Sequence, residues 1–186
     1  MARFVRFRRA EVPVDDILLI GVGNPDRGDD CAGLEVVRRL EALRPPGLRL
    51  VRCSGNALEL LDLWRGWQRV VVVDAALGGG HPGAVNRFRV GTRRLPWYLR
   101  SGSTHSWGVA EAVEMARALG ELPEEVVVYA IEGRYFGLHR GLRPEVRAAA
   151  AEVAQCVIRE AERARAAGSD GEHDRARTAV ASSCEG

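Results

Sequence analysis

Apolar runs rich in valine, isoleucine and leucine alternate along this chain with segments whose apolar residues recur at helical spacing. That alternation predicts an α/β fold: a three-layer, twisted, mostly parallel sheet of about five strands with helices on both faces. Ile17–Val22, Leu48–Cys53 and the runs 70–73, 84–90 and 126–131 read as strands, the third and fifth apolar enough to be buried on both sides. Helices are predicted from Asp29 or Asp30, over Ala57–Trp64, over 107–119, and from Pro144 to about Ala167. The first should bury Leu34, Val37 and Leu40 with Val36 and Leu43, and stop at Arg44 before Pro45 and Pro46. Gly120 stops the third.

Length and charge narrow the classes. The 186 residues suit one domain, 15–167, after a basic leader over 1–14 that carries Arg3, Arg6, Arg8 and Arg9. The small polar residues of 168–186 predict a disordered tail holding His173 and Cys184. A net charge of +2 gives no reason to expect nucleic acid or an anionic membrane. The chain lacks an apolar run of the ~20 residues a spanning helix needs, and its first residues lack a secretory pattern, so a cytoplasmic protein is expected. Cys31, Cys53, Cys156 and Cys184 are scattered and should be reduced, with Cys31 a packed residue beside Asp30.

Candidate chemistry gathers at strand ends. Residues 17–33, ILLIGVGNPDRGDDCAG, run from a strand through a glycine turn to paired carboxylates at a helix start. In VVVVD, residues 70–74, a strand ends in Asp74, and STHSW, 103–107, puts His105 just before a helix. With strand order 2-1-3, neighbouring connections leave in opposite directions and open a crevice that brings Asp30 and Asp74 to one ligand. His105 would arrive from the long loop 91–106, in which Trp97 and Tyr98 either contact an extended peptide or pack on the sheet.

Two carboxylates and an imidazole suit nickel, zinc or a similar borderline cation. The same residues also read as a helix cap, a turn former and a loop histidine, and residue types alone leave both readings standing. A nucleotide site fits poorly: Gly21 and Gly23 begin a dinucleotide fingerprint, but Asp26 stands at its third glycine and the following carboxylates would repel a pyrophosphate. Glu132, at a strand end on the same edge, is either a support for His105 or a substrate amine, or a surface carboxylate. Gly23 and Asn24 sit where they would support the site or touch substrate. His139 and His81 read as turn residues.

Together, GVGNPDRGDDCAG, VVVVDAA and STHSWGVAEAVEMAR resemble the signature blocks of the nickel-iron hydrogenase maturation endopeptidases, and YAIEGRYFGLHRGLRPEV resembles their C-terminal block. The resemblance spans about 17–160. It implies a hydrolase, classified as an aspartic-type peptidase, that removes a C-terminal extension from a hydrogenase large-subunit precursor once nickel is inserted. It also implies that Asp30, Asp74 and His105 bind nickel carried by the substrate, with Asp30 or Asp29 available as general base on water. A non-catalytic metal-sensing module that docks on the large subunit is the first alternative, and a small nucleotide-binding domain the second. After the second strand the chain reads Arg52-Cys53-Ser54-Gly55-Asn56 where the best-known branch has an aspartate and a glycine-rich turn, and Ser54 and Asn56 are expected to cap the second helix.

Overall fold

The computed structural model describes residues 16–91, 95, 108–138 and 141–182, with side chains as far as 166. Five strands, β1 (Ile17–Val22), β2 (Leu48–Cys53), β3 (Arg69–Ala76), β4 (Val85–Val90) and β5 (Glu125–Glu132), form one sheet in the order β2-β1-β3-β5-β4. All neighbours run parallel except β4 against β5. Among the described residues the α-helices are α1 (Ala32–Leu43), α2 (Ala57–Trp64), α3 (Val109–Leu119) and α4 (Pro144–Ser182).

Strand burial follows from this layering. β1 lies inside the sheet with helices on either side, and all six of its residues are buried. Leu18, Ile20, Val70, Val72, Val126 and Val128 pack on one face with Leu60 and Trp64 of α2 and Val113 of α3. Leu19, Val71, Val73, Val127 and Ile131 pack on the other with Val36, Val37 and Leu40 of α1 and Val146, Val153 and Val157 of α4. Burying each such side chain is worth about 1.5–3 kcal/mol, so alternate residues of one strand support two cores. Edge strand β4 is mostly exposed and presents Arg87 and Arg89, charges that discourage pairing with another chain.

Local signals set the helix ends. Asn56 caps α2, its Oδ1 accepting from the amides of Leu58 at 2.9 Å and Glu59 at 3.4 Å. Ser54 instead donates its hydroxyl to Glu59 at 2.7 Å. Gly120 ends α3 in the left-handed conformation.

Several expectations shift. The first helical turn is a 3-10 turn over Gly28–Cys31, and the α-helix starts only at Ala32. The buried face of α1 is Ala32, Gly33, Val36, Val37 and Leu40, whereas Leu34 is half-buried and Leu43 exposed, because the glycine contact below fixes the rotation of the helix. Helical backbone in α4 continues past Ala167 to Ser182, through the stretch expected to be a tail. Ala176, Arg177, Ala179 and Ala181 there favour helix even without an apolar face. The leader 1–14 lies outside the described residues. Among those described, no helix is long and apolar enough to cross a membrane.

Candidate functional site

The connections leaving β1 toward β2 and leaving β3 toward β4, across β5, part at the carboxyl ends of the strands, the place where an open parallel sheet forms a crevice. Pairing between β1 and β3 stops at Gly21 and Val73, so Asp74 is the first residue of β3 beyond it. The amino end of α1 wedges into the same gap. A Cβ on Gly33 would stand 2.2 Å from the Val73 carbonyl oxygen and 2.4 Å from that of Val22, and one on Gly21 would stand 2.4 Å from the Gly33 carbonyl oxygen. Only glycine lets helix and strands approach this closely.

The turn between β1 and α1 folds back to deliver Asp30. Gly23, at φ 149°, donates its amide to the Cys53 carbonyl at 3.1 Å, and a Cβ on it would lie 1.9 Å from the Asp30 carbonyl oxygen. Asn24 Oδ1 accepts from the Asp26 amide at 3.0 Å, the Asn24 carbonyl accepts from Arg27 at 3.2 Å, and the Arg27 carbonyl accepts from Asp30 at 3.1 Å. Gly23 and Asn24 thus shape and support Asp30, whose carboxylate also receives a hydrogen bond from the Asn24 backbone.

Asp30 stands close enough to Asp74 for its charge to oppose the ionisation of Asp74. Burial raises the Asp74 carboxyl to about 7, the negative charge of Asp30 adds to the rise, and a hydrogen bond from the Ala75 amide to Oδ1, at 2.8 Å, works the other way. Asp74 is 8% exposed, so water does little to relieve the pair. Burial also raises Asp30, with Arg27 and the Asn24 hydrogen bond opposing it. Arg27 itself is tied down, its Nε donating to the Phe136 carbonyl at 3.2 Å. Among the described residues no three histidine, cysteine or acidic side chains stand together as a metal set. His105, the expected third member, lies outside the described residues, as do Trp97, Tyr98 and His139.

Asp29 does not join the crevice. It is fully buried, with Oδ2 accepting from the amides of Arg134 at 2.9 Å and Tyr135 at 3.0 Å and Oδ1 from that of Arg143 at 3.0 Å. Its own amide donates to the Tyr135 carbonyl at 2.9 Å. A carboxylate holding three backbone donors stitches the loop after β5 onto the 3-10 turn.

Glu132 is likewise engaged. Buried at the end of β5, it accepts at Oε1 from the amides of Gly79 at 2.7 Å and Gly80 at 3.1 Å. It anchors the β3–β4 connection that steps over the end of β5. His81 lies exposed in that connection, as its turn reading anticipates.

Two residues of this edge escaped the reading of the sequence. Arg27 supplies the positive charge beside Asp30, and Cys53 lies at the end of β2 within electrostatic reach of Asp74, its thiol pushed by burial to about 12. The position of Cys53 at a strand end was the available signal. Cys31 is a packed residue, as expected, its thiol donating to the Gly28 carbonyl at 3.0 Å.

Comparison with known proteins matches this fold. The hydrogenase 2 maturation protease of Escherichia coli is 26% identical over 136 residues, covering 71% of this chain and 82% of that protein. An Escherichia coli endopeptidase solved in solution superposes with TM-score 0.67 at 24% identity over 78% of this chain and 91% of its own. The hydrogenase maturating endopeptidase HybD of the same organism gives TM-score 0.60 at 23% identity over 76% and 89%. Residues 34–160 match the family model of the hydrogenase maturation proteases, which spans most of the folded core, and the chain therefore belongs to that family of peptidases.

Proposed function

We propose that this peptidase removes the C-terminal extension of a nickel-iron hydrogenase large-subunit precursor after nickel insertion, and that Asp30, Asp74 and His105 recognise the inserted ion. The observation that carries the reading is the placement of Asp30 and Asp74 at adjoining strand ends, where burial, with the charge of Asp30 added, raises the Asp74 carboxyl to about 7. Such a pair is relieved by a cation, and carboxylate oxygens with an imidazole suit nickel. In this reading the ion is part of the substrate, so only a loaded precursor satisfies the crevice. The same carboxylates stand where a pyrophosphate would need the bare amino end of α1, which favours a cation over a nucleotide.

Two chemical routes are consistent with the residues. The ion polarises the scissile carbonyl or activates a bound water, or else Asp30 takes a proton from water while the ion holds the extension in place. With Asp29 committed to the loop after β5, the base route passes through Asp30. This is the sense in which an aspartic-type classification applies. The test is the intact mass of purified precursor before and after incubation with the protein. A shortened product from the nickel-loaded form alone is expected. An unchanged mass would reject the peptidase reading and leave the non-catalytic docking module.

A further inference from the structure

Large apolar side chains exposed to solvent are unevenly placed. Of the seven found among the described residues, Leu58, Leu77, Val85, Tyr135 and Leu138 lie along the carboxyl edge of the sheet, and only Leu43 and Leu119 lie at the other end. Leu77 follows β3 three residues after Asp74, and Leu58 opens α2 beyond the end of β2. Tyr135 and Leu138 belong to the loop that Asp29 stitches beside Asp30, and Val85 pairs with Ile131 at the far end of the same edge. Polar fixings hold the loops in place while these side chains face outward.

A crevice meant for a small molecule gains nothing from apolar residues left in water around it. Apolar side chains bordering a polar, negatively charged centre are the pattern of a protein-binding face, in which they supply affinity and the centre supplies selection. From this edge we infer that Leu77 and Leu138, with Leu58 and Val85 beside them, dock the folded body of the precursor, outside the segment that is cut. This rests on the peptidase reading. Two features select that occupant: these side chains stand at the same strand ends as Asp30 and Asp74, where the cut segment must enter, and those acidic residues complement the cation that the precursor carries. The affinity of the protein for its substrate thus resides largely outside the residues that perform the cleavage.

The fold supplies matched controls. Leu138 and Leu119 are 62% and 64% exposed, and Leu77 and Leu43 are 55% and 57% exposed, so each pair differs in location and hardly in burial. The double variants Leu77→Ser/Leu138→Ser and Leu43→Ser/Leu119→Ser are compared in single-turnover cleavage of nickel-loaded precursor and in retention of precursor on the immobilised protein. The first should raise the half-saturating concentration and weaken retention at least tenfold, about 1.4 kcal/mol, with the saturated rate nearly unchanged. The second should stay within twofold of the parent.

Equal effects of the two doubles, or none, would overturn the inference while leaving the peptidase reading intact. So would loss of a dimer of this chain in the first double with precursor binding unchanged. A parent protein that retains the precursor through this face without cutting it would defeat the peptidase reading and keep the docking face. Absence of retention by the parent would defeat the docking face.

Discussion

The two ends of the sheet are built on opposite electrostatic plans. At the amino end charges are balanced and at least partly in water: Arg49 with Asp16, Arg65 with Glu121, Arg69 and Arg89 with Glu125, and Arg87 with Glu160, which also accepts the Tyr129 hydroxyl at 2.7 Å. At the carboxyl end Asp29, Asp74 and Glu132 are withdrawn from water, and the charge of Asp30 raises Asp74 rather than relieving it. Exposed pairs contribute little to stability and keep a surface soluble. Buried like charges cost stability, and a fold retains them where they serve recognition or chemistry. The contrast locates function at one end without reference to any relative.

The largest expected effect of breaking this contrast is on activity. Asp30→Ala or Asp74→Ala should each lower the single-turnover rate on loaded precursor by about 10²–10⁴-fold, the range for a group acting on the reacting atoms. Circular dichroism should show the fold retained. Asp29→Ala acts on stability instead, leaving three backbone donors of the loop after β5 without their carboxylate. Its cost should be about 3–5 kcal/mol in denaturant unfolding, with proteolytic nicking between 133 and 143 as the local readout.

A smaller effect sharpens the pair itself. In the folded state Asp74 holds its proton up to about 7 against 3.8 for an unperturbed carboxyl. The native state therefore binds more protons than the unfolded chain between those values, so this group's contribution is fully present below pH 4 and is lost as pH rises toward 7. The nickel-free protein should unfold at lower denaturant at pH 7.5 than at pH 5. Asp74→Asn should flatten that slope. The smallest effect belongs to the amino end: Arg89→Ala, in an exposed pair with Glu125, should change unfolding free energy by about 0.5 kcal/mol or less and leave cleavage untouched.

What the sequence made legible follows from range. β1, β2, α2 and the end of α3 rest on local signals: an unbroken apolar run in β1, apolar residues interrupted by arginines in β2, an asparagine cap at residue 56 and a glycine stop at 120. Asp30 and Asp74 were legible because a 2-1-3 order forces those strand ends together, whatever the side-chain detail. The roles of Asp29 and Glu132 were not, since their partners, the amides of Arg134, Tyr135 and Arg143 and of Gly79 and Gly80, lie more than fifty residues away and belong to backbone, which carries no sequence signature. Insertion of β5 between β3 and β4 is another long-range event. So is the rotation of α1, decided where Gly33 meets the carbonyls of Val22 and Val73, which moved Leu34 and Leu43 away from the core.

The central claim is that Asp30 and Asp74 form a cation-recognising pair. It is tested most directly by the ratio of cleavage rates on nickel-loaded and nickel-free precursor, measured for the parent and for Asp74→Asn, which keeps the size of the side chain and removes its charge. The expected ratio is at least about a hundred for the parent, the discrimination of a lost charged contact, falling toward one in the variant through loss of the loaded rate. A parent that cuts both forms equally, or an Asp74→Asn variant that keeps the full ratio, would contradict it.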